Sequence, residues 1–223
     1  MHPRNATQAT HTRQGRLFFA LVMFGGLRPE EALGLVRADC TLQRGEWGQV
    51  KARRTKPTAG KRWTDTGEIH DNRGLKGRDD SEVRLVPIPP ILVDIILAHI
   101  EEFGVTEDGR IVTNERGGVP VSSTLSRAWK EARKFALTPK QVVSPLAKTP
   151  YSGRHAALSI QLSAGVDPAD VARRAGNSIG VLLRVYAKLI AGRDEINNRK
   201  IDRVLEGVTY FDAISAKEEQ AES

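Results

Sequence analysis

Cysteine is almost missing from this chain. Cys40 is the only one among 223 residues, so no internal disulfide can form and no cysteine-based zinc site can be assembled. Histidine is sparse as well. His2, His11, His70, His99 and His155 lack the spacing of metal ligands, and no metal site is expected. Long apolar runs are lacking too: the longest is broken by Asp94 and His99, which excludes a bilayer-spanning helix from the sequence. The opening Met1-His2-Pro3-Arg4-Asn5 carries none of the apolar run of a secretion signal, so a cytoplasmic protein is expected. The sequence shows no internal repeat and no low-complexity tract.

What remains is an ordinary globular composition. Hydrophobic residues make up 39 %, charged residues 27 %, and the mean hydropathy is -0.37. These values exclude collagen-like and wholly disordered chains, and the length suits one large domain. The charge is basic and uneven. Lys and Arg number 34 against 27 Asp and Glu, a net of +7 with a pI near 9.7. The stretch from Phe211 to Ser223 holds Asp212, Glu218, Glu219 and Glu222 against Lys217, a net of -3, which leaves +10 on residues 1–210. A basic body predicts a polyanionic partner, most often nucleic acid.

The hydrophobic pattern predicts a mostly helical chain with one small antiparallel sheet. From Gln14 onward, Leu17, Phe18, Leu21, Val22 and Met23 form one helical face, which Gly25-Gly26 ends. Pro29 suits the first turn of the next helix, and Arg28 sits at the junction. Residues 42–88 read as β structure. Gln49 to Arg53 and Val83 to Ile88 alternate, with a Gly-rich charged hairpin excursion from Thr55 to Ser81 between them. Pro89-Pro90 opens a helix from Ile91 to Phe103, which Gly104 closes. Arg110 to Thr113 is expected as a short strand, and Ser122 as the cap of a helix reaching Phe135. Pro139, Pro145 and Pro150 predict an irregular stretch. Helices are expected over Ser152–Ala164, Pro168–Ala175, Ile179–Ile190 and Asp194–Leu205.

The chemistry concentrates in Tyr151-Ser152-Gly153-Arg154-His155, then Ala175-Gly176-Asn177-Ser178, then Leu183-Arg184-Val185-Tyr186-Ala187. Arg154 and Asn177 are 23 residues apart, and Tyr186 follows Asn177 by 9. Upstream, Gly26-Leu27-Arg28-Pro29-Glu30-Glu31-Ala32 supplies a second arginine, and Arg84-Leu85-Val86-Pro87-Ile88 follows a Lys76 placed between Gly74 and Gly77. Taken singly, Arg28 reads as a surface arginine at a helix junction, Arg154 as a helix-end cation and Tyr186 as a core tyrosine with its hydroxyl at the surface. Taken together, these segments resemble the catalytic domain of the tyrosine recombinase (phage integrase) family over roughly Gln14 to Leu205.

That resemblance implies a DNA breaking-rejoining fold, mainly α with a small antiparallel sheet, and site-specific recombination of the kind used in DNA integration by mobile elements. It implies Tyr186 as the nucleophile forming a 3′-phosphotyrosyl link, and Arg28 and Arg154 as the two guanidinium forks on the non-bridging oxygens. Two nearby arginines are expected to favour the phenolate. Lys76 is implied as the general acid on the leaving 5′-oxygen, with Lys51, Lys56 and Lys61 as rivals on the long hairpin. Tyr151 would assist, and no metal or other cofactor is needed. The partner is double-stranded DNA, with further copies of the chain assembled on it. The helix Asp194–Leu205, carrying Ile196, Ile201 and Leu205, would dock on a neighbour.

Two positions depart from the usual pattern. Tyr151 and Asn177 stand where the family usually has histidine, or histidine or tryptophan; an amide donates to phosphate but relays no proton. His155 is expected as a buried structural histidine. The resemblance divides the chain into a disordered arm at 1–12, a catalytic domain at 13–208 and an acidic flexible tail at 209–223. The N-terminal domain that usually completes the clamp on DNA is expected to be absent.

The run Lys51-Ala52-Arg53-Arg54-Thr55-Lys56, with Lys61 and Arg62, holds six cations and no acid and suits phosphate contacts. Trp63 beside it is one indole, which does not make a stacking platform. Two other readings compete. One is a decayed or truncated integrase that binds DNA without cutting. The other is a helix-turn-helix regulator built on Leu162 to Arg174, with Gly165 in its turn.

Overall fold

The computed structural model describes residues 15–53, 83–191 and 194–206. The arm at 1–12, the whole hairpin excursion from Thr55 to Ser81 and the tail at 209–223 lie outside the described residues.

The first helix, α1, runs over residues 15–23. Leu17, Phe18, Leu21 and Val22 recur at helical spacing and are buried, whereas Met23 falls past the edge of that stripe and is half-exposed. Gly26, at φ 62, turns the chain in the left-handed region. It leads to Arg28, which is extended at φ -67 and ψ 149 and precedes α2, Pro29–Leu33. A 3-10 turn (Arg37–Asp39) follows. The sheet comprises β1 (Cys40–Thr41), β2 (Gly48–Ala52) and β3 (Arg84–Ile88) in the order β1-β2-β3, all antiparallel. Val50 pairs with Val86 and Lys51 with Leu85. The period of two sends Val50, Ala52, Val86 and Ile88 inward and leaves Lys51 and Leu85 in solvent.

Helix α3 spans Pro90–Phe103 and ends at Gly104, φ 73. Helix α4 spans Ser122–Ala136, but Ser122 is not its cap: Val121 holds that place, and Ser122 already has entered the first turn. The expected strand at Arg110–Thr113 is reduced to a single bridge between Val36 and Arg110. Its partner segment curls straight into the 3-10 turn, so no ladder can grow, and Ile111 and Val112 fill the core from a loop. The proline-rich stretch contains one helical turn, α5 (Pro139–Val142), which Thr138 caps by accepting from the Gln141 N–H. Helices α6 (Tyr151–Ser163), α7 (Pro168–Ala175), α8 (Ile179–Ala191) and α9 (Asp194–Leu205) match the expected ones to within a residue.

The apolar side chains form two clusters. One joins α1, the sheet and α3 through Leu21, Val50, Ile88 and Ile96. The other joins α6, α7 and α8 through Leu158, Leu162, Val171, Leu182 and the ring of Tyr186. Arg28 enters the seam between them from the first cluster, and Arg154 from the second.

Two predictions concern stability. A Cβ on Gly48 would lie 2.7 Å from Val93 Cγ2 and 2.8 Å from the Thr41 carbonyl oxygen. Gly48→Ala is therefore expected to cost about 1–3 kcal/mol in urea unfolding; an unchanged midpoint would contradict this packing. His99 is buried with Nε2 3.0 Å from the Ile111 carbonyl, and burial pushes its pKa down. The unfolded imidazole protonates near its ordinary value of about 6.5. The folded one resists, so the unfolded state binds more protons and stability falls as pH drops below about 6.5. The urea midpoint should decline from neutral pH toward pH 5 (on the order of two pH units), and His99→Gln should flatten that limb.

Candidate active site

Arg154 occupies the first full turn of α6 and is 1 % exposed, the largest fully buried side chain among the described residues. Its Nη1 donates to the Gly26 carbonyl and its Nη2 to the Ala175 carbonyl at 2.6 Å. Nη2 also donates to Asn177 Oδ1 at 3.3 Å. Arg28 reaches the same place from the opposite side, donating through Nη2 to the Gly176 carbonyl at 2.7 Å and to Asn177 Oδ1 at 3.4 Å. Three expected residues from distant stretches thus converge. The orientation of Asn177 differs from the expected one. Its Oδ1 accepts from both guanidinium groups, so the amide bridges the two arginines, and only its NH2 end remains as a donor.

Two residues of this cluster had no assigned role in the sequence. Glu31 is buried and reaches back to the Arg28 N–H at 2.8 Å, the spacing of a capping-box glutamate. It pairs with Arg28 Nη1 at 2.9 Å and with Arg84 Nη2 at 2.5 Å. Burial pushes its carboxyl pKa up, but Arg84 and Arg28 together outweigh burial and hold it below its ordinary value. Arg84 also donates to the Arg174 carbonyl, which fastens β3 to the end of α7. A signal for Arg84 was available. It shares the inward face of its strand with Val86 and Ile88, where an arginine needs a partner. Gly176 ends α7 at φ 65, and a Cβ there would lie 2.8 Å from Arg84 Nε and 3.2 Å from Arg28 Nη1. The turn that delivers Asn177 therefore requires glycine on both conformational and steric grounds.

Three guanidinium groups and one carboxylate share this cluster. Burial, and then the charge of Arg28, push the Arg154 pKa down from its ordinary value. A site with that excess of buried positive charge favours an anion, because an anion would offset both penalties.

Tyr186 sits where α8 departs from helical geometry, at φ -112 and ψ 17, in place of the continuous helix expected. It is 6 % exposed. Its hydroxyl lies 2.8 Å from His155 Nδ1, and the His155 ring packs edge-on against Tyr151 with centroids 5.2 Å apart. His155 is thus half-buried and bonded to the phenol, not the buried structural histidine expected. The phenol is not favoured as phenolate either. Burial raises its pKa, Arg154 lowers it by less, and the result is about 12.

The hairpin cations divide. Lys51 is exposed on β2. Arg53 is bound to the Asp39 carboxylate at 2.7 and 2.6 Å. Arg54, Lys56, Lys61, Arg62 and Lys76 lie outside the described residues. The α6–α7 pair, which suggested a helix-turn-helix, carries Arg154 and the Gly176-Asn177 turn at its two ends, and α7 buries Val171, Ala172 and Ala175.

No protein-family model matches the chain, and no curated protein matches it. Among solved structures, the fold is similar to XerH site-specific recombinase bound to a difH substrate, with a TM-score of 0.56 at 16 % identity. That match covers 82 % of this chain and 44 % of XerH. XerA recombinase gives 0.54 at 15 % identity, over 92 % of this chain and 62 % of XerA. The Tn1549 transposon integrase in complex with circular intermediate DNA gives 0.53 at 15 %, over 82 % of this chain and 59 % of that one. The chain thus spans 44 to 62 % of these proteins' lengths. The likeness establishes the fold, a mainly helical body with a three-stranded antiparallel sheet, as one shared with these recombinases and the integrase.

Arg84→Ala would leave the buried Glu31 with Arg28 alone and release the Arg174 carbonyl. A loss of roughly 3 kcal/mol in urea unfolding is expected, with Arg84→Lys recovering only part of it because one ammonium cannot reproduce the fork. Full stability in Arg84→Ala would contradict the assigned pairing.

Proposed function

We propose that this chain is a site-specific DNA recombinase of the integrase type, which breaks and rejoins DNA strands through Tyr186. One observation carries this reading. Arg28, Arg154 and Asn177 meet within hydrogen-bond distance, and the phenol of Tyr186 is one hydrogen bond from the neighbour of Arg154. The fold shared with recombinases and a transposon integrase supports it.

In this reading a phosphodiester of double-stranded DNA sits against Arg28 and Arg154. Attack by the Tyr186 oxygen on phosphorus gives a pentacoordinate state with two negative charges. The cluster's three guanidinium groups, less the charge of Glu31, match that state better than they match the singly charged ground state. Such matching is electrostatic preorganisation. Glu31 holds Arg28 and Arg84 in place, and the backbone carbonyls of Gly26, Ala175 and Gly176 fix the forks before substrate arrives. The P–O5′ bond breaks, the 3′-phosphate stays on Tyr186, and the 5′-oxygen leaves with a proton. Lys76 is proposed as the donor of that proton, with Lys51, Lys56 and Lys61 as the other candidates on the hairpin. Tyr151 and the NH2 of Asn177 would add hydrogen bonds to phosphate oxygens. The chemistry needs no metal or other cofactor. Lys51, Arg53, Arg54, Lys56, Lys61 and Arg62 are proposed contacts to the DNA backbone, and Arg53 would make its contact from the Asp39 pair.

A second copy of the chain is also part of this proposal. No residue of α9 is buried, and Ile196, Ile201 and Leu205 are exposed on it. Docking of α9 on a neighbouring protomer would cover them on DNA. The alternative of a non-cutting remnant rests on the amide at Asn177, since no imidazole stands there to relay a proton.

The test uses a pool of duplexes with a randomised centre and a strand nick, which traps a cleaved strand by letting the short fragment diffuse away. Wild type is expected to yield a covalent protein–DNA adduct stable to detergent, absent from Tyr186→Phe. Arg28→Ala and Arg154→Ala should each slow adduct formation by about 100- to 1000-fold. Salt-sensitive binding without any adduct would favour the remnant.

A further inference from the structure

The geometry points to His155 as the group that takes the proton from Tyr186 during attack, so that this imidazole, and neither Tyr151 nor Asn177, is the base of the reaction. The inference rests on the strand-transfer reading above and assigns a chemical role to a residue that the reading leaves without one.

Geometry comes first. The phenol oxygen and His155 Nδ1 are 2.8 Å apart, within the reach a general base needs. The hydroxyl belongs to a residue that is 6 % exposed, and a buried O–H requires an acceptor. Imidazole with its proton on Nε2 offers Nδ1 as that acceptor. The two helices enforce the contact from both sides. His155 stands on α6 one position after the buried Arg154, and Tyr186 stands at the non-helical point of α8, where the backbone departure re-aims its ring. The rings are 6.0 Å apart and tilted by 45°, which directs the hydroxyl at the nitrogen instead of stacking the faces.

The alternatives are chemically weaker. Tyr151 faces His155 across an edge-on ring contact and is itself a phenol, no stronger a base than the group it would have to deprotonate. Asn177 presents Oδ1 to two cations, which leaves that oxygen no tendency to accept another proton. Arg154, beside His155 on α6, and Tyr151, one turn earlier on the same helix, are the charged and titratable groups that act on the Tyr186 phenol. With the phenol held at about 12 by burial, a free phenolate is scarce at neutral pH. The proton must therefore leave as the O–P bond forms, which calls for a base already in contact.

The step balances as follows. The Tyr186 O–H bond breaks and its proton binds His155 Nδ1. The electron pair of the phenol oxygen forms the bond to phosphorus, and the P–O5′ bond breaks. The leaving 5′-oxygen takes a proton from the hairpin lysine or from water. In rejoining, the 5′-hydroxyl returns its proton to the lysine amine or to water and attacks phosphorus, the P–O bond to Tyr186 breaks, and the imidazolium returns its proton to the departing phenol oxygen.

The experiment follows adduct formation with the nicked duplex pool for wild type, His155→Ala and His155→Gln, alongside DNA binding and thermal unfolding. His155→Ala is expected to react about 100-fold more slowly with DNA binding retained, and added imidazole to restore much of the rate. His155→Gln keeps a hydrogen bond to the phenol but cannot carry the proton, so it should stay slow; it carries the test if the alanine variant does not fold. A His155→Gln that reacts at the wild-type rate shows positioning alone and overturns the assignment, as does a His155→Ala of wild-type rate. In both cases the wild-type adduct leaves strand transfer standing. A wild type that forms no adduct overturns strand transfer itself, and the proton transfer with it.

Discussion

The Arg154 guanidinium has almost no access to water, and the rest of the site is arranged around that fact. Arg154 is held by the carbonyls of Gly26 and Ala175 and by Asn177 Oδ1. Gly26 belongs to the turn after α1, whereas Ala175 and Asn177 belong to the end of α7. One side chain therefore ties the two hydrophobic clusters together. A buried cation must be hydrogen-bonded nearly in full, so each carbonyl has a narrow range of allowed positions. The placement of Arg28, which follows Gly26 by two residues, is a consequence of the same constraint.

Glu31 and Arg84 extend it outward. A carboxylate between two guanidinium groups keeps them from repelling one another and fixes the angle at which Arg28 enters the seam. Arg84 is the tether on β3, so that strand is attached to the end of α7 and the Gly176 turn by a side chain as well as by packing. The result is a cluster whose positive charge exceeds its negative charge. On the strand-transfer reading, that excess is what a phosphodiester meets. The Tyr186 phenol, its pKa raised by burial, has an imidazole in contact.

Much of this was legible in the residues. The apolar spacing located α1, α3 and the last four helices, because a period near 3.6 survives whatever the helix packs against. The spacing of Arg28, Arg154, Asn177 and Tyr186 was enough to suggest the family. Other features were not legible, for identifiable reasons. Ser122 reads as a cap because serine favours that place, but the chain entering through Val121 starts the helix one residue sooner. Ile111 and Val112 look like a strand because they are apolar and β-branched, yet the segment opposite curls away and they fill the core as a loop. His155 looked structural because the resembled family usually buries this histidine, and because adjacent helix residues point about 100° apart, which separates it from Arg154. In the structure it meets the hydroxyl of Tyr186, at the non-helical point of α8.

The sequence by itself determined the helices, the alternating strands, the basic balance of the body and the spacing of Arg28, Arg154, Asn177 and Tyr186, because each depends on local spacing or on counting charges. Only the tertiary structure decided that Glu31 joins Arg28 to Arg84, that Asn177 faces the arginines with its oxygen, and that the Tyr186 hydroxyl meets an imidazole. Those are contacts between segments far apart in the chain. Their geometry is set by how a buried charge finds enough hydrogen bonds, which no stretch of sequence can settle alone.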